Sequence, residues 1–224
     1  IVFQQVSAAT GQSIIMSTYR ELFKKHNLKV AQILLTAEDL SNRAAYLHVC
    51  AVLEMTLQLG IVPIINENDT VSIEEIKLGD NDNLAAMIAL MLDADIFINL
   101  TDIDGLHTRD PRRYQDAELI ARVNTINRTT EKLASDIAGA LGTGGMLSKI
   151  KAAKKVTSAG IPMVIANGLQ PNILIKLFAG KHPGTYFVPK AHRLASRKSW
   201  IAFSVKPQGV ITIDDGAAAA ILKN

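Results

Sequence analysis

The chain has 224 residues, 48% of them hydrophobic and 20% charged, with a formal net charge of +3. That length suits one α/β domain with a real core, and no apolar run approaches the ~18 residues that a membrane-crossing helix needs. The opening residues have neither the basic start nor the apolar stretch of a secretion signal. The single cysteine excludes an internal disulfide framework, and Cys50, set in an apolar helical pattern, reads as a small core residue. Five histidines are scattered without zinc-ligand spacing. Aromatics are few, so the modest positive charge points to a local anion site rather than to a nucleic-acid surface.

In chain order, residues 1–27 read as a helix, with Ile14, Ile15, Leu22 and Phe23 at near-helical spacing. The compact apolar run 30–35 suits a buried strand. Residues 41–59 form an amphipathic helix that ends at Gly60, a residue fitted to a helix C-terminus. A short strand, 61–65, runs straight into Asn66-Glu67-Asn68-Asp69. After an acidic stretch, Gly79-Asp80-Asn81-Asp82-Asn83 opens a helix, 84–92, that is apolar nearly all round. Strand 96–100 ends in Thr101-Asp102. The glycine-rich segment 142–145 then opens a helix over 146–159, followed by a strand over 161–166. Residues 200–205 and 210–213 read as a hairpin and 214–222 as a short closing helix. Strands alternating with helices imply a largely parallel sheet covered by helices on both faces, a three-layer α/β/α sandwich. Without a linker or internal repeat, one domain over 1–224 is the simplest organisation.

Ligands of such sheets bind beyond the carboxyl ends of the strands, and the polar clusters sit there. Asn66–Asp69 taken alone is as readily a turn, because Asn and Asp favour turns. Asp80–Asn83 exceeds what capping requires, since one helix needs one such residue. The excess points to a ligand, a metal-bound phosphate or a lysine. In Leu141–Lys149, closely spaced glycines let backbone N–H groups approach an anion at the positive end of a helix, and Lys149 can reach the same phosphate. The spacing matches neither a Walker A loop nor G-x-G-x-x-G. Thr101-Asp102 alone is as good a turn starter as a site. Together the clusters describe phosphoryl transfer, where catalysis rests on positioning and charge stabilisation.

At these residues the chain resembles the glutamate 5-kinases of the amino-acid-kinase superfamily. The matching blocks are AATGQS (8–13), QILLT (32–36), IVPIINEND (61–69), IKLGDNDNLAA (76–86), LTDIDGLHTRDPR (100–112), LGTGGMLSKIKAA (141–153), WIAF (200–203) and ITIDDGAAAAIL (211–222). The resemblance implies the amino-acid-kinase fold and ATP-dependent phosphorylation of the γ-carboxylate of L-glutamate, the first step of proline biosynthesis, in the cytoplasm. ATP and Mg²⁺ are the implied cofactors, with no dedicated protein metal site. It implies Asp69 and Asn81 as contacts to glutamate, with Asn66 and Asp80 close by, and Asp82 as the carboxylate that orients catalytic lysine. Thr101, Asp102 and the segment Thr143, Gly144, Gly145, Met146, Leu147, Ser148 and Lys149 become nucleotide contacts, with Lys149 steadying the transferring phosphoryl group. Proline as feedback inhibitor and a homo-oligomer, dimer or tetramer, are further implications; a membrane or nucleic-acid partner is not. The family's N-terminal strand with its lysine, and the C-terminal PUA domain of many members, have no counterpart in these residues. A non-catalytic amino-acid- or nucleotide-binding regulatory domain of the same fold is the alternative.

Overall fold

A computed structural model describes residues 2–71, 80–136, 145–181, 183–191, 200–201, 209 and 211–222. Helix α1 (Val2–Lys24) is followed by a turn in which Asn27 takes a positive φ of 57°, and the chain enters strand β1 (Lys29–Leu35). Thr36 and Asp39 form a reciprocal capping box that starts helix α2 (Ala37–Ser41). The side chain of Asn42 then accepts from the Ala44 and Ala45 amides and starts helix α3 (Arg43–Gln58). The helix expected over 41–59 is α3, and the short α2 before it was not expected; Asn42, in an extended conformation, separates the two. Gly60, at φ +67°, closes α3 as expected.

Strand β2 (Ile61–Glu67) lies parallel to β1, from Lys29 opposite Ile61 to Leu35 opposite Glu67. Asn66 and Glu67 are thus the last residues of the strand rather than a turn beyond it. Helix α4 (Asn81–Met91) buries Leu84, Ala86, Met87, Ala89, Leu90 and Met91, in keeping with its apolar sequence. A second sheet holds strands β3 (Phe97–Thr101), β4 (Arg122–Val123), β5 (Met163–Asn167) and β6 (Thr185–Phe187), in the order β3-β5-β6-β4. Strands β3 and β5 are parallel, as are β4 and β6; only β5 and β6 run antiparallel. Helices α5 (Arg128–Asp136), α6 (Met146–Ser158), α7 (Ile173–Phe178) and α8 (Asp215–Leu222) complete the described elements.

Helix α4 touches both β2 and β3, so it spans the two sheets, and it packs along α6. The core is concentrated there: Ile150, Ala153 and Val156 of α6 and Met163 and Ile165 of β5 are fully buried. Trp200 and Ile201 are helical rather than extended. The Trp200 indole N–H donates to the carbonyl of Leu40 (3.1 Å), and the Arg43 guanidinium lies 4.8 Å from the indole ring. Residues 202–205 and Val210 of the expected hairpin lie outside the described residues, and 211–213 form no strand. Among the described residues, no helix is long and apolar enough to cross a membrane.

Candidate active site

Asp82 is the hub. It lies in the first turn of α4, whose N-terminus is closed by Asp80: the Asp80 carboxylate accepts from the Asn83 amide at 2.7 Å. Capping is thus satisfied by one acidic residue, which leaves Asp82 for other partners. Lys149 of α6 places its Nζ 3.2 and 3.0 Å from the two Asp82 oxygens. The Ser148 hydroxyl donates to Oδ2 at 2.5 Å, and the Asn99 amide donates to Oδ1 at 2.6 Å. The Lys149 and Asp82 side chains are only 11% and 12% exposed, so the ion pair is largely withdrawn from water. Such a pair survives burial because further donors satisfy the carboxylate.

Asn99 stands in the middle of β3 and is buried. Its signal was present in the sequence, as one amide inside the apolar run Ile96–Leu100, yet the sequence reading passes over it. Thr101 follows two residues later and so projects from the same face of the strand. Its hydroxyl donates to Asp102 at 3.0 Å.

The start of α6 differs from that of α4. Its N-cap is Gly145, in extended conformation and without any side-chain cap. The amides of Met146 and Leu147 therefore open a helix with no side-chain acceptor, an arrangement that suits an anion. Met146 itself is buried and Leu147 packs against the core, so only their backbone can face a nucleotide. Thr143 and Gly144, with Gly79, lie outside the described residues. These features fit a nucleotide: backbone N–H groups for phosphate, and a buried lysine held by a carboxylate. Among the described residues no three His, Cys, Asp or Glu side chains converge as metal ligands.

Asn66 and Asp69 belong to a second cluster, at and just beyond the end of β2. The Asn66 amide donates to Gln12 of α1 (3.1 Å) while its oxygen accepts from the Glu67 N–H (3.0 Å). Asp69 lines a cavity of about 230 Å³ between α1 and the carboxyl ends of β1 and β2, together with Gln12, Ser13, Gln32 and Glu67. Of these lining residues, Glu67 belongs to the 66–69 cluster already marked in the sequence, whereas Gln12 and Gln32, from a helix and a strand interior, were not singled out as site candidates. Asn81 is exposed at the head of α4, beside Asp80.

Residues 1–167 match the family model described as the amino acid kinase family. The chain belongs to the amino acid kinase family. It is 47% identical over 218 residues to a glutamate 5-kinase of Geobacter metallireducens, covering 97% of this chain and 58% of that protein. It is 49% identical over 220 residues to a glutamate 5-kinase of Syntrophus aciditrophicus, covering 98% and 57%. The chain thus spans about three fifths of the length of the curated relatives it matches. Among solved structures it resembles UMP kinase from Bacillus anthracis (TM-score 0.56, 15% identity, 85% of this chain and 70% of that one). It also resembles aspartate kinase from Synechocystis (TM-score 0.53, 21% identity, 83% and 29%). These two likenesses concern the fold, mostly parallel sheets flanked by helices, as the sequence reading expected of this family.

Proposed function

We propose that the protein carrying this chain is a glutamate 5-kinase: it transfers the γ-phosphoryl group of ATP to the γ-carboxylate of L-glutamate. The observation that carries this reading is the buried Lys149–Asp82 pair beside the helix start that has no side-chain cap. In the reaction a carboxylate oxygen of glutamate attacks the γ-phosphorus. The bond from that phosphorus to the β,γ-bridging oxygen breaks, leaving γ-glutamyl phosphate and ADP. The α6 amides hold phosphate oxygens, and the Lys149 ammonium neutralises charge on the phosphoryl group in transit. Asp82, Ser148 and Asn99 keep that ammonium in place. Mg²⁺, brought with the nucleotide, would supply further charge neutralisation. Thr101 and Asp102 face the nucleotide, and the family resemblance adds Thr143 and Gly144 to its contacts. Asp80, Asn81, Asn66 and Asp69 bind the amino and carboxylate groups of glutamate, and the cavity at Asp69 is its entry or seat. Proline as a feedback inhibitor, an oligomeric assembly and a cytoplasmic location belong to the same proposal, as implications of the family resemblance alone.

The test is an ATP- and glutamate-dependent assay on the intact protein, with the acyl phosphate trapped by hydroxylamine. Lys149→Met, which keeps the stem but removes the charge, is expected to lower kcat by about 10²- to 10³-fold. Its thermal unfolding stays cooperative, because Ser148 and Asn99 still donate to Asp82. Undiminished turnover would refute the role of Lys149. Nucleotide binding without turnover in the wild type would favour the regulatory-domain alternative.

A further inference from the structure

Lys155 lies two helical turns beyond Ser148, on the same side of α6. Its ammonium donates to the side-chain oxygen of Asn83, in the first turn of α4, and the Asp80 carboxylate attracts it. Helix α6 therefore grips the head of α4 at two levels: Ser148 and Lys149 hold Asp82, and Lys155 holds Asn83 beside Asp80.

We propose that Lys155 is a positioning residue, fixing the first turn of α4 so that Asp80 and Asn81 present a set geometry to the acceptor substrate. The acceptor part of this inference rests on the kinase reading above. Folding does not account for a lysine at this position. Burial lowers its pKa below the ordinary lysine value, against the pull of Asp80 and with the added repulsion of Lys151. The neighbouring ion pairs are Lys149 with Asp82 and Lys154 with Glu131. When a folded-state lysine pKa is depressed, the unfolded chain binds more protons between the two values. Stability then rises with pH through that window, and the charged form costs stability at neutral pH. A half-buried cation retained at such a cost is explained by what it positions.

The experiment compares wild type, Lys155→Met and Lys155→Arg in the intact protein, by steady-state kinetics across pH and by amide hydrogen exchange of residues 80–84. Lys155→Met is expected to unfold at or above the wild-type temperature. Its first-turn amides exchange about tenfold faster, and its KM for glutamate rises about tenfold with kcat within about twofold. Lys155→Arg, which restores a cation, brings KM back to within about threefold of wild type. The wild-type KM rises on the alkaline side, below the pH at which ordinary lysines lose their proton, and the Arg variant lacks that rise. Unchanged exchange in Lys155→Met overturns the tether. Faster exchange with an unchanged KM overturns the positioning role. A wild type that phosphorylates no glutamate sinks the kinase reading instead, while the exchange measurement still decides the tether.

Discussion

At the scale of the residue, carboxylates in this chain are placed by their donors. Asp110 is a second buried example besides Asp82. Its Oδ1 accepts from both the backbone amide and the Nε of Arg112, each at 3.0 Å, and its Oδ2 accepts from the other arm of the guanidinium at 3.1 Å. The Arg112 hydrogen bonds hold the Asp110 carboxyl below the usual aspartate range. The same guanidinium feels the charge of Asp102, so this fork ties the loop after β3 to the strand end where the nucleotide is expected. A carboxyl with a depressed folded-state pKa contributes stability above its unfolded value, about 3.9. That contribution fades as pH falls through the folded value. Asp110→Asn is therefore expected to be less stable than wild type at neutral pH, with the gap closing progressively below about pH 4. Urea unfolding of both proteins between pH 3 and 7 checks this; a gap that is constant with pH removes the charge from the explanation.

At the scale of the element, the readable parts are those in which one signal dominates. The apolar runs 61–65 and 96–100 became β2 and β3, and the strand expected over 161–166 became β5 (Met163–Asn167), because a strand covered on both faces has no polar alternation to confuse. Helix α4 was legible from its apolar sequence, and its acidic head from the excess over one cap. Strand β6 was not legible. The four residues between Gly184 and Pro189 carry no periodicity, and the place of the three in the strand is fixed by contacts distant in sequence. Thr185 is fully buried and its hydroxyl accepts from the Leu106 N–H at 2.8 Å. Gly184 has a φ of +144°, and a Cβ there would collide with the carbonyl oxygen of Ile165. The same holds for the site: Lys149, Asp82 and Ser148 were marked by motifs, whereas Asn99 and Lys155 are set by packing. For β6 the consequence is testable. Gly184→Ala combines left-handed strain with a backbone clash and is expected to cost about 2–4 kcal/mol. Linear extrapolation of urea unfolding measures it, and a loss under about 0.5 kcal/mol, the range of an ordinary surface substitution, would show that β6 can shift away from β5.

At the scale of the whole molecule, burial is uneven. Helices α4 and α6 with β5 supply most of the buried apolar residues, whereas α1, 23 residues long, has none that is buried. Along α1, Phe3 is 83% exposed and Ile14 64%, so its apolar side chains gain little from packing in the isolated chain. Local opening is easiest where few apolar contacts must be broken. Native-state hydrogen exchange on this chain is therefore expected to be polarised. Amides of α4, β5 and α6 should exchange only with global unfolding, and those of α1 at least about 100-fold faster. The dependence on protein concentration then separates two causes of any α1 protection. Protection that grows with concentration identifies association of copies through the exposed apolar residues of α1. Concentration-independent protection equal to that of α6 would mean that α1 is welded to β1 more firmly than its exposed apolar residues imply, and the polarised picture would fail.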